Sequence, residues 1–358
     1  MIYTLATSGH LCLEDFFGAH GGEFTAQVVP LPYSTLLRAR ELPAGTYIFS
    51  DLERLSEAEL EQAAGIWRQL EARGPAMRLL NHPTQVRQRY ELLRELAGRG
   101  LNDFDVYRLD EGRWPGRYPV FVRGERDHNA MASGLLRSEP ELRQFVGEWR
   151  GQGRSVGGMV VTEFCGQPDE RGLYRKYAAF KVGDRIIPDL IFFNRQWEVR
   201  AHGLVVDERT VAEEWRFIQD NPHEAHLREV FDLAHIDYGR VDYGVVDGRV
   251  QVYEINTNPY ISATPPGGQL RAGIYEQFTR NFLAALGALK GPAHGAPRSP
   301  LPAPQGRPRR GVVLPAVNTL AGTLWATGDE AAYARRLRGA LRALKSGRRW
   351  LGRGKTSG

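Results

Sequence analysis

Short apolar runs alternate with helix-period stretches over the first eighty residues. IYTLA (2–6), AQVVP (26–30), TYIFSD (46–51) and MRLLN (77–81) read as strands. SEAELEQAAGIWRQLEA (56–72) reads as a helix, with Ser56 as N-cap and Glu59 three residues on completing a capping box. This alternation predicts a small parallel α/β unit. No GxGxxG follows the first strand, so a dinucleotide fold is not supported.

Beyond residue 82 the pattern changes. A helix is predicted from Pro83 to about Ala97, followed by strand runs at NDFDVYRL (102–109) and YPVFVRG (118–124) and a helix at ELRQFVGEWR (141–150). GMVVTEF, LYRKYAAFKVG and RIIPDLIFF are strand runs, and GQGRSVGG (151–158) is a turn. Helical stretches at about 209–219 and 222–235 lead into RVDYGVVDGRVQVYEINTNP (240–259), and QLRAGIYEQFTRNFLAALGAL (269–289) is an amphipathic helix.

RVDYGVVDGRVQVYEINTNP is a hairpin by its Asp247-Gly248 signal. The register decides which side chains share a face. A two-residue loop sets Asp242 with Tyr253 and turns Glu254 away. A three-residue loop, Val246-Asp247-Gly248, separates polar from apolar better, so this register is expected, with Arg240 opposite Glu254 and Asp242 opposite Val252. Either an oxygen-rich magnesium site or a surface hairpin with an Arg–Glu pair fits the spacing. Buried carboxylates need partners or a metal.

The chain has 358 residues, 42% hydrophobic and 25% charged, an ordinary globular composition. Its net charge of +5 misleads. Residues 291–358 hold thirteen Arg and Lys against Asp329 and Glu330, a net of 13 − 2 = +11, leaving 5 − 11 = −6 for residues 1–290. The basicity is therefore no argument that the body binds nucleic acid, and no specific nucleic-acid motif is present. Two cysteines, Cys12 and Cys165, make no disulfide framework. The N-terminus lacks a basic n-region, and no run reaches the length of a membrane span, so a soluble, cytoplasmic protein is expected. His223-Glu224-Ala225-His226 has the wrong spacing for HExxH. GPAHGAPRSPLPAPQGRPRR (291–310) reads as a linker, and DEAAYARRLRGALRALKSGRRWL (329–351) as a basic amphipathic tail whose default reading is a solvated extension, the alternatives being a fold-back onto the acidic body or a contact for an acidic partner, a membrane surface or RNA.

VDYGVVDGRVQVYEINTNP resembles the C-terminal signature of the ATP-grasp superfamily, which includes D-alanine–D-alanine ligase, glutathione synthetase and the ribosomal-protein glutamate ligase. Arg240, Asp242, Glu254, Asn256 and Pro259 carry the match. It covers approximately 1–290 and implies an α/β protein: an N-terminal α/β domain (1–82), a lid subdomain (83–165) and a C-terminal antiparallel-sheet subdomain with the metal site (166–290), followed here by the linker and tail (291–358). It implies ATP with Mg2+ or Mn2+ as cofactors, the metal on Asp242, Glu254 and Asn256, and Arg240 as the catalytic residue. Arg89 and Arg123 stand where the family often carries phosphate-binding lysines. The hinge around Glu163 and Phe164 would read adenine through backbone groups, Asp169 would reach the ribose, Lys176 (or Arg175) would touch ATP, and Arg200 would face phosphate or substrate. The expected Gly-rich loop is missing from RGERDHNAMASG (123–134), where either His128 and Asn129 cover the phosphates instead or the lid closes poorly and turns ATP over weakly. The implied reaction joins a small-molecule or peptide carboxylate to an amine, or less readily a thiol, through an acyl phosphate. A kinase on the same scaffold and a non-catalytic nucleotide-binding scaffold are the alternatives.

Overall fold

The computed structural model describes residues 1–126 and 131–289, together with the backbone of 298–300. His128, Asn129 and the 329–351 tail lie outside the described residues, so the expectations placed on them do too. The chain divides into two compact units.

The first comprises Met1–Gln85, Thr257–Ala263 and the described residues from Asn281 onward. Its elements are β1 (Ile2–Ala6), α1 (Glu14–His20), β2 (Val28–Pro32), α2 (Tyr33–Leu36), β3 (Glu41–Pro43), β4 (Gly45–Phe49), α3 (Glu57–Glu71) and β5 (Met77–Leu80). Strands β2-β1-β4-β5 form one parallel sheet, as the alternating pattern predicts. β2 and β4 are buried along their whole length, which is why they are nearly all apolar: a parallel sheet covered on both faces has no polar side. Tyr3 and Tyr47 stack across the β1–β4 pair at 4.6 Å between ring centroids. The capping box at Ser56 forms as read, with Ser56 and Glu59 each accepting from the other's backbone N–H. Just past β4, Asp51 takes a left-handed backbone (φ 59°), and its buried carboxylate accepts from the N–H and hydroxyl of Thr7 and from Arg54 Nε. That contact ties the C-terminal ends of β1 and β4 together.

Three residues of the expected 291–310 linker are not linker: β13 (Arg298–Pro300) pairs antiparallel with β3. The short elements α1, α2 and β3 have no counterpart in the sequence reading.

The second unit comprises Val86–Asn256 and Thr264–Arg280. It contains α4 (Arg89–Gly98), β6 (Val106–Arg108), β7 (Val120–Gly124), α5 (Glu139–Gly151), β8 (Met159–Glu163), β9 (Tyr174–Val182), β10 (Arg185–Asn194), α6 (Glu208–Asp220), α7 (Glu224–Ala234), β11 (Tyr238–Val246) and β12 (Arg249–Asn256). Helix α8 (Ala272–Ala288) begins within it. Two antiparallel sheets result, β6-β8-β7 and β10-β9-β11-β12. Leu142 and Val146 of α5 pack on Val120, Val122 and Val161 of the smaller sheet. The larger sheet buries Val241, Tyr243 and Val252 against Leu92, Leu93 and Leu96 of α4 and Val230 and Phe231 of α7. The class is thus mixed α/β, with one parallel and several antiparallel sheets. No helix among the described residues is long and apolar enough to cross a membrane.

Helix α4 starts at Arg89, six residues later than the predicted start. Residues 83–85 form a turn instead: Thr84 N–H donates to the His82 ring and Gln85 N–H to the His82 carbonyl, a local competitor to helix.

The hairpin register also differs from expectation. The β11–β12 loop has two residues, Asp247 (φ 49°) and Gly248 (φ 77°), both left-handed as a tight primed turn requires. Val246 pairs with Arg249 and Tyr243 with Val252; the register then shifts, so that Asp242 pairs with Glu254 and Arg240 with Asn256. The bulge leaves Tyr253 as the extra residue. It returns the two carboxylates to one face, as the longer, three-residue loop would also do.

Candidate active site

One face of the larger sheet presents Lys176 from β9, Arg240 and Asp242 from β11, and Glu254 and Asn256 from β12. Lys176 shares the face because Ala178, two residues on, pairs with Asp242. Lys176 Nζ lies 2.9 Å from Asp242 Oδ2, and Arg240 Nε lies 3.1 Å from Asp242 Oδ1. Burial pushes the Asp242 carboxyl up, but Arg240 and Lys176 outweigh it and hold it below the ordinary carboxylate range. Burial pulls the Arg240 guanidinium down, and Asp242, Asp189 and Glu254 raise it again past its usual value.

Asp189 is a site residue that the sequence reading missed. It sits in the apolar run RIIPDLIFF, at the register shift between Pro188 and Leu190 on β10. Its Oδ2 lies 3.7 Å from Arg240 NH1, so Arg240 is held between two carboxylates. Burial pushes the Asp189 carboxyl up to about 7, with Arg240 opposing and Asp242 adding to the rise. The available signal was an acid beside a proline inside an otherwise buried strand: an acid there needs a partner.

Glu254 takes its cations from the other sheet and from α4. Arg89 and Arg123 both place NH2 on Glu254 Oε2, Arg123 at 3.2 Å. Asp242, Glu254 and Asp189 therefore stand among Arg89, Arg123, Lys176 and Arg240, a local balance of 4 − 3 = +1. Such a surface suits a polyanion.

A cavity of about 570 Å³ runs from these charges to the hinge after β8. Asp242, Glu254, Arg123 and Lys176 line one part of it; Phe164, Cys165 and Gly166 line another. Phe121 and Phe164 each contact Trp197, at 5.2 and 5.5 Å between centroids, and form an aromatic wall that no local motif announced. The hinge backbone is partly committed. Glu163 N–H donates to the Asp105 carbonyl and Phe164 N–H to the Pro119 carbonyl. Pro119 has no N–H to return, so among the described residues no donor reaches the Phe164 carbonyl. Gly166 lies under the Phe164 ring, where a Cβ would come within 2.8 Å. The Glu163 and Phe164 N–H groups are thus engaged within the protein, while Phe164 and Gly166 line the cavity.

The Glu163 side chain is turned inward. It accepts from Tyr107 Oη, Asp105 N–H and Arg117 N–H, and so ties the ends of the smaller sheet's strands. Asp169 accepts from the N–H groups of Arg171 and Leu173 and pairs with Arg175 at 2.9 Å. Arg175 also forms a double hydrogen bond with Glu213. Both carboxylate oxygens of Asp169 and the Arg175 fork are thus engaged in shaping the loop. Arg200 pairs with Glu198 and borders the cavity. Arg240 and Asn256 face one another across the ladder, next to the cavity-lining pair Asp242 and Glu254.

Asp242, Glu254 and Asn256 are hard oxygen donors on one sheet face, the donor set magnesium or manganese takes. Among the described residues no group of three or more His, Cys, Asp or Glu is placed to hold a metal ion. Two carboxylates and an amide fit a cation that completes its shell with phosphate oxygens and water rather than one held by protein alone.

No family model matches the chain, and no curated protein matches its sequence. Among solved structures it is similar to the D-alanine–D-alanine ligase of Bacillus anthracis complexed with ATP, at 13% identity and a TM-score of 0.46 over 80% of this chain and 97% of that one. The Coxiella burnetii D-alanine–D-alanine ligase gives 12% and 0.43, over 79% and 93% of the two chains. An L-amino acid ligase from Bacillus licheniformis gives 14% and 0.37, over 72% and 66%.

Proposed function

We propose that this chain is an ATP-grasp enzyme that uses ATP and a divalent cation to activate a carboxylate and join it to an amine. The observation carrying this reading is a cavity bordered both by an aromatic-walled hinge and by Asp242, Glu254, Arg123 and Lys176. A planar base fits the wall of Phe121, Phe164 and Trp197, with the Phe164 carbonyl as its acceptor. A phosphate chain would then run toward the cationic part.

Asp242, Glu254 and Asn256 would hold the cation, which when bound neutralises charge on the phosphates. Lys176 and Arg123 would turn from their carboxylates to phosphate oxygens. Asp189 would keep Arg240 in place once Asp242 is engaged elsewhere. Attack of the substrate carboxylate on the γ-phosphorus would give an acyl phosphate and ADP; attack of the amine at its carbonyl carbon would then expel inorganic phosphate. Arg240 would stabilise the negative charge of both stages. Positioning and charge neutralisation supply the catalysis, with no covalent enzyme intermediate. In this reading 83–165 is the lid and 166–290 the metal-bearing subdomain. Asp169 would contact the ribose only by giving up a loop contact, and Arg200 would face phosphate by leaving Glu198.

The test is a screen of carboxylates and amines for magnesium-dependent ADP release, with product analysis. Amide plus ADP supports the reading; a stable phosphoester would point to a kinase, and no nucleotide binding at all would abandon the enzyme.

A further inference from the structure

Arg89 occupies a position where the resemblance implies a phosphate-binding cation, yet its guanidinium is already built into the protein. NH1 donates to the carbonyls of Gly124, at 3.0 Å, and Glu125, at 2.8 Å, while NH2 pairs with Glu254 Oε2. The side chain is 7% exposed. The backbone it grips is itself anchored: Arg108 holds the Glu125 carboxylate through Nε and NH2, both at 2.7 Å. Swinging Arg89 onto a phosphate would strip two carbonyls of their donor and leave Glu254 one cation poorer, a large penalty for buried groups. Lys176, by contrast, meets Asp242 through a single ammonium that can rotate away.

We infer that Arg89 is a positioning residue for Glu254 rather than a phosphate ligand, and that it holds Glu254 against capture of a bare divalent cation. The inference rests on the nucleotide–metal reading above. Both arginines take Oε2, which sets the direction in which the rest of the carboxylate is presented. A forked guanidinium can hold two carbonyls and a carboxylate at once; a lysine cannot, which accounts for arginine at this position. Because Arg89 stays, a cation arriving without nucleotide meets a glutamate still neutralised. A cation arriving with phosphate brings its own oxygens.

The test uses the full chain and measures Mn2+ binding alone by electron paramagnetic resonance, Mn2+–ADP binding by calorimetry, and ADP binding in excess EDTA. In Arg89→Met, Mn2+ alone should bind about tenfold tighter than in wild type, because a unit positive charge next to Glu254 is gone. Metal-free ADP should lose less than about tenfold, the long-range effect of one missing charge, since no phosphate contact is lost. Arg89→Lys should give a smaller gain in the same direction, and it serves if the Met variant does not fold. Unchanged Mn2+ affinity, or a loss of about tenfold or more in metal-free ADP affinity, overturns the inference and makes Arg89 a phosphate ligand. Failure of wild type to bind Mn2+–ADP overturns the nucleotide reading itself, and this inference with it.

Discussion

Asp242 and Glu254 face each other directly across the β11–β12 ladder, one step beyond the bulge at Tyr253. Two carboxylates directly opposed would repel, and each is neutralised from a different side: Asp242 by Lys176 and Arg240, Glu254 by Arg89 and Arg123. The pairing holds the donor set together in the protein without a ligand.

The bulge residue also braces the hinge, since Tyr253 Oη donates to the Cys165 carbonyl at 3.0 Å. A Cβ at Gly244 would overlap that hydroxyl. Gly244→Ala should therefore destabilise the protein by about 1–3 kcal/mol, and Tyr253→Phe by about 1 kcal/mol. Urea melts of both variants check this; equal stability of Gly244→Ala and wild type would contradict the packing described.

Trp197 contacts both Phe121 and Phe164 along the cavity. Trp197→Ala should weaken adenine-nucleotide binding about tenfold through lost ring contact, while leaving binding of inorganic triphosphate unchanged. Calorimetry with ATP and with triphosphate separates the two. Equal losses for both ligands would place Trp197 away from the base.

Glu214 and Arg271 form an ion pair buried to 1% and 4% exposure, and Glu214 also accepts from the Ile191 N–H. Burial raises the Glu214 carboxyl, with Arg271 pulling it back. Removing one partner leaves the other charge buried alone. Arg271→Met should cost about 3–5 kcal/mol, and Arg271→Met combined with Glu214→Leu markedly less. A double variant as unstable as the single one would refute this account of the pair.

His223 Nδ1 lies 2.9 Å from Tyr243 Oη, and the buried His226 Nε2 has no partner among the described residues. Burial lowers both imidazoles below their ordinary value; His226 adds to the effect on His223, and Glu229 opposes it on His226. An unfolded chain takes up these protons first, below about pH 6.5, so stability is lost as pH falls through that value toward the lowered folded-state values. His223→Gln/His226→Gln should lose less melting temperature than wild type between about pH 7 and pH 5. Parallel pH curves for the two proteins would rule the histidines out as the cause.

Periodicity carried the parallel sheet, the main helices and the Ser56 cap, because each is encoded by neighbours in sequence. The polar face of the hairpin was legible from the spacing of Arg240, Asp242, Glu254 and Asn256. Its register was not, because a bulge at Tyr253 leaves no local signature: the residue packs and bonds like any strand tyrosine, and only its long-range partner Cys165 shows why it is displaced. Asp189 was hidden in an apolar run for the same reason, its partner Arg240 lying fifty-one positions on (240 − 189). Lys176 and Arg175 were adjacent candidates; strand alternation sends one to Asp242 and the other to Glu213 and Asp169. The aromatic wall joins Phe121, Phe164 and Trp197 from three distant segments, a juxtaposition only the fold makes visible.

If Glu254 and Asp242 hold a divalent cation together with ATP in the cavity they line, calorimetric titration of ATP into wild type should show micromolar binding that requires magnesium, and Glu254→Ala should weaken it by about a hundredfold. Binding that is indifferent to magnesium, or equal in the two proteins, would contradict that assignment.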